Sequence, residues 1–225
     1  MKPLVECVPN FSEGRRPEVI EAIVAAMRAV PDVRVLDVES DGDHNRSVVT
    51  LVGPPPAVQE AAFKGIATAA SLIDLDQHKG AHPRLGATDV VPFVPVGGVT
   101  MEECIALAHG LGQRVAEELH IPVFFYESAA LRPERTNLED VRRGEYELLK
   151  KEIGTNPDRQ PDCGPAAVGK AGATIIGARP YLIAFNAYLN TTEVSIANKI
   201  AKSVRHSSGG YHFVKAMGLL VAGQA

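Results

Sequence analysis

The reading of residues 33–53, "VRVLDVESDGDHNRSVVTLVG", decides the fold. "VRVLDVE" carries Val33, Val35, Leu36 and Val38 and reads as a strand, and "RSVVTLVG" reads as a second one. Between them "SDGDHN" is built from Asp, Gly and Asn, whose backbones accept tight turns. The two strands therefore predict a hairpin. Whether it closes an all-β fold or a mixed one depends on its flanks.

Both flanks are helical. Upstream, "LVECV" at 4–8 reads as a short strand and "PNFSEGRRPE" as a loop. Pro17 suits a first helical position, and Val19, Ile20, Ile23, Val24 and Met27 follow at helical spacing until Pro31 and Asp32 stop the run. Downstream, "PPPAVQEAAFKGIATAASLI" reads as an Ala-rich helix begun by prolines, and a strand follows at about residues 88–95. The order is strand, helix, strand, strand, helix, strand. That is the split βαβ, or ferredoxin-like, pattern: an antiparallel sheet with both helices on one face. The fold class predicted is α+β, an α/β sandwich.

Further along, "TMEECIALAHGLGQRVAEEL" predicts a helix, with Thr100 and Glu103 spaced as a capping box. "IPVFFYE" predicts a strand and "LEDVRRGEYELLKKEI" a charged helix interrupted near Gly144. "GTNPDRQPDCGPAAVGKAGA" holds four Gly and three Pro in 20 residues and reads as a loop. A second set then begins: strands at "ATIIGARP", "YLIAFNAYL" and "VKAMGLLVA", with one helix near 192–205. The division expected is an N-terminal subdomain over 1–178 and a partial second ferredoxin-like subdomain over 179–225. One helix cannot cover that second half-sheet. Ile183, Phe185 and Leu220 should lie on an uncovered face, so self-association, as a homodimer or otherwise, is expected.

The composition excludes several classes. A formal charge of −4 over 225 residues gives no electrostatic reason to expect nucleic acid. Three cysteines, odd in number and without a C-x-x-C pair, suit a reducing cytoplasm. The N-terminus has no apolar leader, and no run reaches the ~18 apolar residues of a membrane span.

The chemistry concentrates in "DQHKGAHPRLGATDVVPFVPV", residues 76–96. His78 and His82 are four apart, a metal-binding spacing on a helix, but Gly80 and Pro83 break any helix and no further ligand cluster follows. The better reading is a shaped loop holding an imidazole able to move protons near neutral pH, with cations beside it. His78 reads as a supporting or solvated group, and Arg84 as suited to a bidentate carboxylate pair. "NFSEGRR" and "DHNR" read as surface loops, Lys150 and Lys151 as a solvated face, and Cys7 as packed. The Gly-rich loop at 162–173 fits neither the phosphate-loop nor the dinucleotide pattern, because Ala171 follows Lys170.

Taken together, "LVECVPNFSEG" at 4–14, "NR" at 45–46, "VGPP" at 52–55, "HKGAHPRLGATDVVPFVPV" at 78–96, "AEELHIPVFFYE", "RRGEYE" and "GARPYLIAFN" at 177–186 resemble the glutamate formiminotransferase family. The resemblance implies two similar α/β subdomains with a folate site between them, in a chain that usually runs longer. It implies a transferase of one-carbon metabolism, acting in histidine degradation, that moves a formimino group between N-formimino-L-glutamate and the co-substrate tetrahydrofolate, with no metal or nucleotide. The family's catalytic histidine falls on His82, as general base and acid. Its folate-contacting segment falls on Gly164, Pro165, Ala166, Ala167, Val168, Gly169, Lys170, Ala171 and Gly172. Both substrates carry carboxylates, for which Arg84, Lys79 and Arg46 are candidates and Arg179 a weaker one. Two rival readings are a folate enzyme that processes 5-formyltetrahydrofolate and a folate-binding protein without turnover.

Overall fold

The computed structural model describes residues 2–183 and 185–220. The hairpin of residues 33–53 is formed by β3 (Arg34–Asp41) and β4 (Arg46–Gly53), antiparallel from Arg34↔Val52 to Asp41↔Arg46. β4 alternates buried and half-buried positions along its whole length. The first strand is bent into two segments, β1 (Leu4–Cys7) and β2 (Asn10–Phe11). Both lie between β4 and β5 (Thr88–Gly97). Val49 donates to the Pro9 carbonyl and Val8 to the Pro92 carbonyl, so the ladder continues across the bend. The spatial order β3, β4, β1/β2, β5 is that of a split βαβ unit.

Three helices cover one face of this sheet. α1 (Pro17–Arg28) buries Val19, Ile20, Ile23, Val24 and Met27, with Pro17 in its first turn as the sequence implies. α2 (Pro55–Leu72) follows a proline start and packs through Ala61, Ala62, Phe63, Ile66 and Ala69. α3 (Met101–Leu119) opens on the expected capping box: Thr100 Oγ1 accepts from the Glu103 amide, and Glu103 accepts from the Thr100 amide. Their apolar faces meet Val5, Cys7, Leu51, Phe93 and Phe125 in the larger core. Cys7 is packed there, as expected.

The sheet does not stop at β5. β6 (Val123–Glu127) and β7 (Thr174–Ala178) extend it, and β7 lies between β5 and β6, parallel to both. The strand "ATIIGARP" therefore belongs to the first sheet and does not open a second set. Ile175 and Ile176 point to opposite faces, one into each of two cores. The smaller core is closed by α4 (Leu138–Val141) and α5 (Glu145–Glu152), which contribute Val141 and Leu149. The break between these helices falls at Gly144, at φ 75°. The result is the expected α+β sandwich, a seven-stranded mixed sheet with helices on both faces.

The chain falls into two compact units, Met1–Tyr181 and Leu182–Ala225. In the second, α6 (Val194–Val204) matches the expected helix. The strands expected near 181–188 and 215–222 are absent from the described residues; residues 184 and 221–222 lie outside them. Ile183, Phe185 and Leu220 are exposed. Elsewhere "NFSEGRR" is not a surface loop: Asn10 and Phe11 join the sheet, and Ser12 and Glu13 are buried.

Candidate active site

The tip of the hairpin frames the site. Asn45 is buried at φ 49°, a conformation asparagine tolerates better than most residues. Its Oδ1 accepts from the Gly14 amide at 2.9 Å, its Nδ2 donates to the Lys79 carbonyl at 2.9 Å, and its carbonyl accepts from His78 Nε2 at 2.9 Å. One side chain thus ties together three loops, at 12–16, 41–46 and 78–82. Gly80 permits the contact, since a Cβ there would lie 2.2 Å from the His44 carbonyl oxygen. Glu13 caps the first of these loops. Burial raises its pKa, but hydrogen bonds from the amides of Arg15 and Arg16 and from the Arg16 guanidinium outweigh that and hold it below the ordinary carboxylate value.

His82 is half-buried at the end of this frame. Its Nδ1 lies 2.6 Å from its neighbour's carbonyl, Pro83 O, and 2.9 Å from Arg46 Nη1. Nδ1 cannot serve both, since the first partner needs a proton on it and the second a lone pair. The shorter contact selects Nδ1–H donating to Pro83, which leaves the lone pair on Nε2. Burial, then the Arg46 and Arg142 cations, push the His82 pKa down to about 4, against smaller opposing effects of Pro83 and Asp89. The ring is neutral at pH 7. His44 stands edge-on with ring centroids 6.0 Å apart.

Behind His82 is a buried ion cluster that sequence reasoning missed in part. Arg46 reaches Asp89 Oδ2 at 3.1 Å and the Asn10 amide oxygen, and Arg142 reaches the same Asp89 Oδ2 at 2.5 Å. Asp89 is fully buried and its Oδ1 accepts from the Leu85 amide at 2.9 Å. Asp89 had a signal available: it is the lone acid in the apolar run "TDVVPFVPV", and a buried carboxylate requires a partner. Arg142 had no signal in local pattern, lying in a stretch that reads as a charged helix, and only the quoted "RRGEYE" touches it.

The other residues separate into two groups. Arg46 sits beside His82 as described. Arg84 does not present itself to a substrate carboxylate: Nη1 and Nη2 bind Glu145 and Glu147 at 2.7–2.9 Å, and Nε donates to His78 Nδ1 at 3.2 Å. The protein's own groups fill its fork, so Arg84 anchors the start of α5. His78 is buried, not solvated, and both its ring nitrogens are engaged, by Asn45 and Arg84. Lys79 is exposed and borders a groove of about 290 Å³ with Asp76, Tyr146, Glu147, Lys150 and Lys151. Lys150 is not only solvated: its Nζ reaches Asp76 at 2.6 Å, and Tyr146 donates to the same oxygen at 2.8 Å. Arg179 lies against Tyr126, whose pKa burial raises to about 12, partly offset by that arginine.

Residues 164–172 form a loop in which Gly164, Pro165, Ala166, Ala167, Gly169 and Lys170 are exposed and Val168 and Ala171 half-buried. Its far end is pinned to the segment that follows His82. Ala87 donates to the Ala171 carbonyl at 2.8 Å and Ala173 to the Leu85 carbonyl at 3.0 Å. The paired Gly86 and Gly172 make this approach possible: a Cβ on Gly86 would lie 2.1 Å from the Ala173 oxygen, and one on Gly172 2.2 Å from the Leu85 oxygen. The chemistry open to the whole arrangement is proton transfer at Nε2 of His82 beside a cationic cluster, next to an accessible glycine-rich loop.

Comparison with known proteins bears on that chemistry. A family model described as formiminotransferase domain, N-terminal subdomain, matches residues 4–179. The chain is 51% identical over 216 residues to the glutamate formimidoyltransferase of Thermoplasma acidophilum, covering 95% of this chain and 71% of that protein. It is 46% identical over 222 residues to the glutamate formimidoyltransferase of Streptococcus pyogenes, covering 98% and 74%. It is 48% identical over 211 residues to the formimidoyltransferase-cyclodeaminase of Mus musculus, covering 93% of this chain and 39% of the longer protein.

Proposed function

The chain belongs to the formiminotransferase-domain family, and from that premise we propose that it is a glutamate formimidoyltransferase, moving a formimino group between N-formimino-L-glutamate and tetrahydrofolate. The observation that carries the proposal is His82, a neutral imidazole whose Nδ1 is held by the Pro83 carbonyl so that Nε2 keeps its lone pair. As the folate amine attacks the formimino carbon, Nε2 takes the proton that the amine must lose. The resulting imidazolium keeps its Nδ1–H on Pro83 and returns the Nε2 proton to the glutamate nitrogen as the carbon–nitrogen bond breaks. One proton is taken and one is given back, so the ring ends neutral.

The loop of residues 164–172 serves in this proposal as the folate contact, supported by its backbone pairing with residues 85–87 directly after the His82 segment. Arg46 and Lys79 supply positive charge for substrate carboxylates; Arg84 does not, being filled from within. Among the described residues no helix is long and apolar enough to cross a membrane, and a cytoplasmic setting suits the free thiols. Association between copies through exposed apolar side chains such as Ile183 and Phe185 completes the proposal. The test is a spectrophotometric assay of formimino transfer with purified protein. Formation of formiminotetrahydrofolate from formiminoglutamate supports it. Turnover of 5-formyltetrahydrofolate alone, or folate binding with no turnover of either donor, refutes it.

A further inference from the structure

Two guanidiniums share one carboxylate oxygen behind His82, and the arrangement is short of negative charge. Arg46 and Arg142 both bind Asp89 Oδ2. The other oxygen of Asp89 accepts from the Leu85 amide, and its single negative charge is shared between the two arginines. Widening the view to Tyr126 adds Arg179 and Glu127, one charge of each sign, and leaves the excess of one positive charge unchanged. Burial and the neighbouring Arg142 cation push the pKa of Arg46 down to about 10 even against Asp89. Arg142 is largely enclosed, with a side chain 13% exposed, and its Nε is buried with no hydrogen-bond partner. Cations held this way, beside the proposed reacting imidazole, suit an anion that arrives with the substrate.

We propose that Arg142, acting with Arg46, is the specificity-determining receptor for the α-carboxylate of the formimino donor, and that filling this receptor activates His82. The inference rests on the transferase reading above. Chemistry selects which carboxylate. The donor carries its α-carboxylate on the carbon bonded to the departing nitrogen, and that nitrogen must reach Nε2 of His82 to recover its proton. The glutamate tail of folate is separated from the reacting ring amine by a methylene, a second amine and the aminobenzoyl ring. Only the donor's α-carboxylate is obliged to lie near a ring whose Nδ1 is 2.9 Å from Arg46.

Activation follows from charge. The charged and titratable groups facing His82 are Arg46 on β4, Asp89 on β5, Arg142 beyond α4, and His44 in the hairpin turn. In the free protein burial, and after it the two cations, make His82 a weak base, with a pKa of about 4. A bound carboxylate cancels the excess charge of the two cations and removes their part of the depression, which moves the imidazole up from about 4 toward more effective general-base catalysis. The donor therefore raises the basicity of the group that acts on it.

The experiment compares wild type, Arg142→Gln and Arg142→Lys on formiminoglutamate and on the formimino derivative of 4-aminobutyrate, which keeps the distal carboxylate and lacks the α one. Arg142→Gln should raise KM for formiminoglutamate about 30-fold or more. Its kcat/KM should lose activity at a higher pH than wild type on the acid side, since one depressing cation is gone. Arg142→Lys should keep the wild-type acid limb while recovering only part of the affinity. The decarboxylated donor should be penalised in wild type and little further in Arg142→Gln. Tetrahydrofolate binding, followed by fluorescence titration, should be unchanged in both variants, which also verifies that they fold. An unchanged KM and an unmoved acid limb in Arg142→Gln, or an equal penalty for the decarboxylated donor in wild type and variant, overturns the inference and leaves the transferase reading intact. No transfer by wild type overturns that reading, and this inference with it.

Discussion

His82→Ala should lower kcat by roughly 100- to 10,000-fold, the range for a lost proton carrier, with tetrahydrofolate affinity nearly unchanged; steady-state kinetics and a binding titration check both. The same residue links stability to pH. Its folded pKa of about 4 lies below the ordinary 6.5, so between those values the unfolded chain binds the extra proton. Its contribution is full above about 6.5 and is lost as pH falls toward 4. A melting series over that window should slope upward with pH more steeply in wild type than in His82→Gln, and equal slopes would count against the buried neutral ring. His78→Ala is a different case. It strips partners from Arg84 Nε and the Asn45 carbonyl, a cost of about 1–3 kcal/mol in stability, while kcat falls far less than for His82→Ala. Chemical denaturation beside the kinetics separates the two.

At the scale of elements, Asp89→Asn in β5 leaves two buried guanidiniums facing a neutral amide and should destabilise by about 3–5 kcal/mol, read from the denaturant midpoint. Gly86→Ala tests the join between loops. Its Cβ meets backbone, which cannot swing aside as a side chain can, so residues 171–173 must shift. Tetrahydrofolate affinity should fall more than in His82→Ala; if it does not, the loop of residues 164–172 is not the folate contact. These elements also mark what was legible in advance. The hairpin, α1 to α3 and β5 follow from local patterns of period and punctuation, and so does the first six-element order. The position of β7 between β5 and β6 does not, because parallel pairings reached across residues 98–173 and 128–173 leave no trace in local spacing. The shaped loop that carries His82 was legible from its glycines and proline. Its ion cluster was not, since Arg142 joins Asp89 across 53 residues of sequence.

Over the whole molecule, the contrast lies between the sheet of residues 4–178 and the irregular stretches among the described residues beyond Tyr181. In α6 the buried side chain is Ala201, while Tyr188, Tyr211 and Phe213 are mostly exposed. Hydrogen exchange should therefore be slow in β5 and β7 and fast in residues 185–193 and 209–220; strong protection in those outer stretches would mean that copies of the chain cover them, which light scattering would detect. A last consequence belongs to β7. It occupies the space between two strands made well before it, so a chain emerging from the ribosome holds β5 and β6 apart, or mispaired, until residue 178 is free. Up to that moment Val90, Val91, Phe124 and Phe125 border an unfilled slot, the kind of strand edge that chaperones protect. The glycine-rich loop is drawn into place by the same insertion. Synthesis thus completes the proposed catalytic centre and closes the sheet in one event, and a nascent chain halted before β7 has neither.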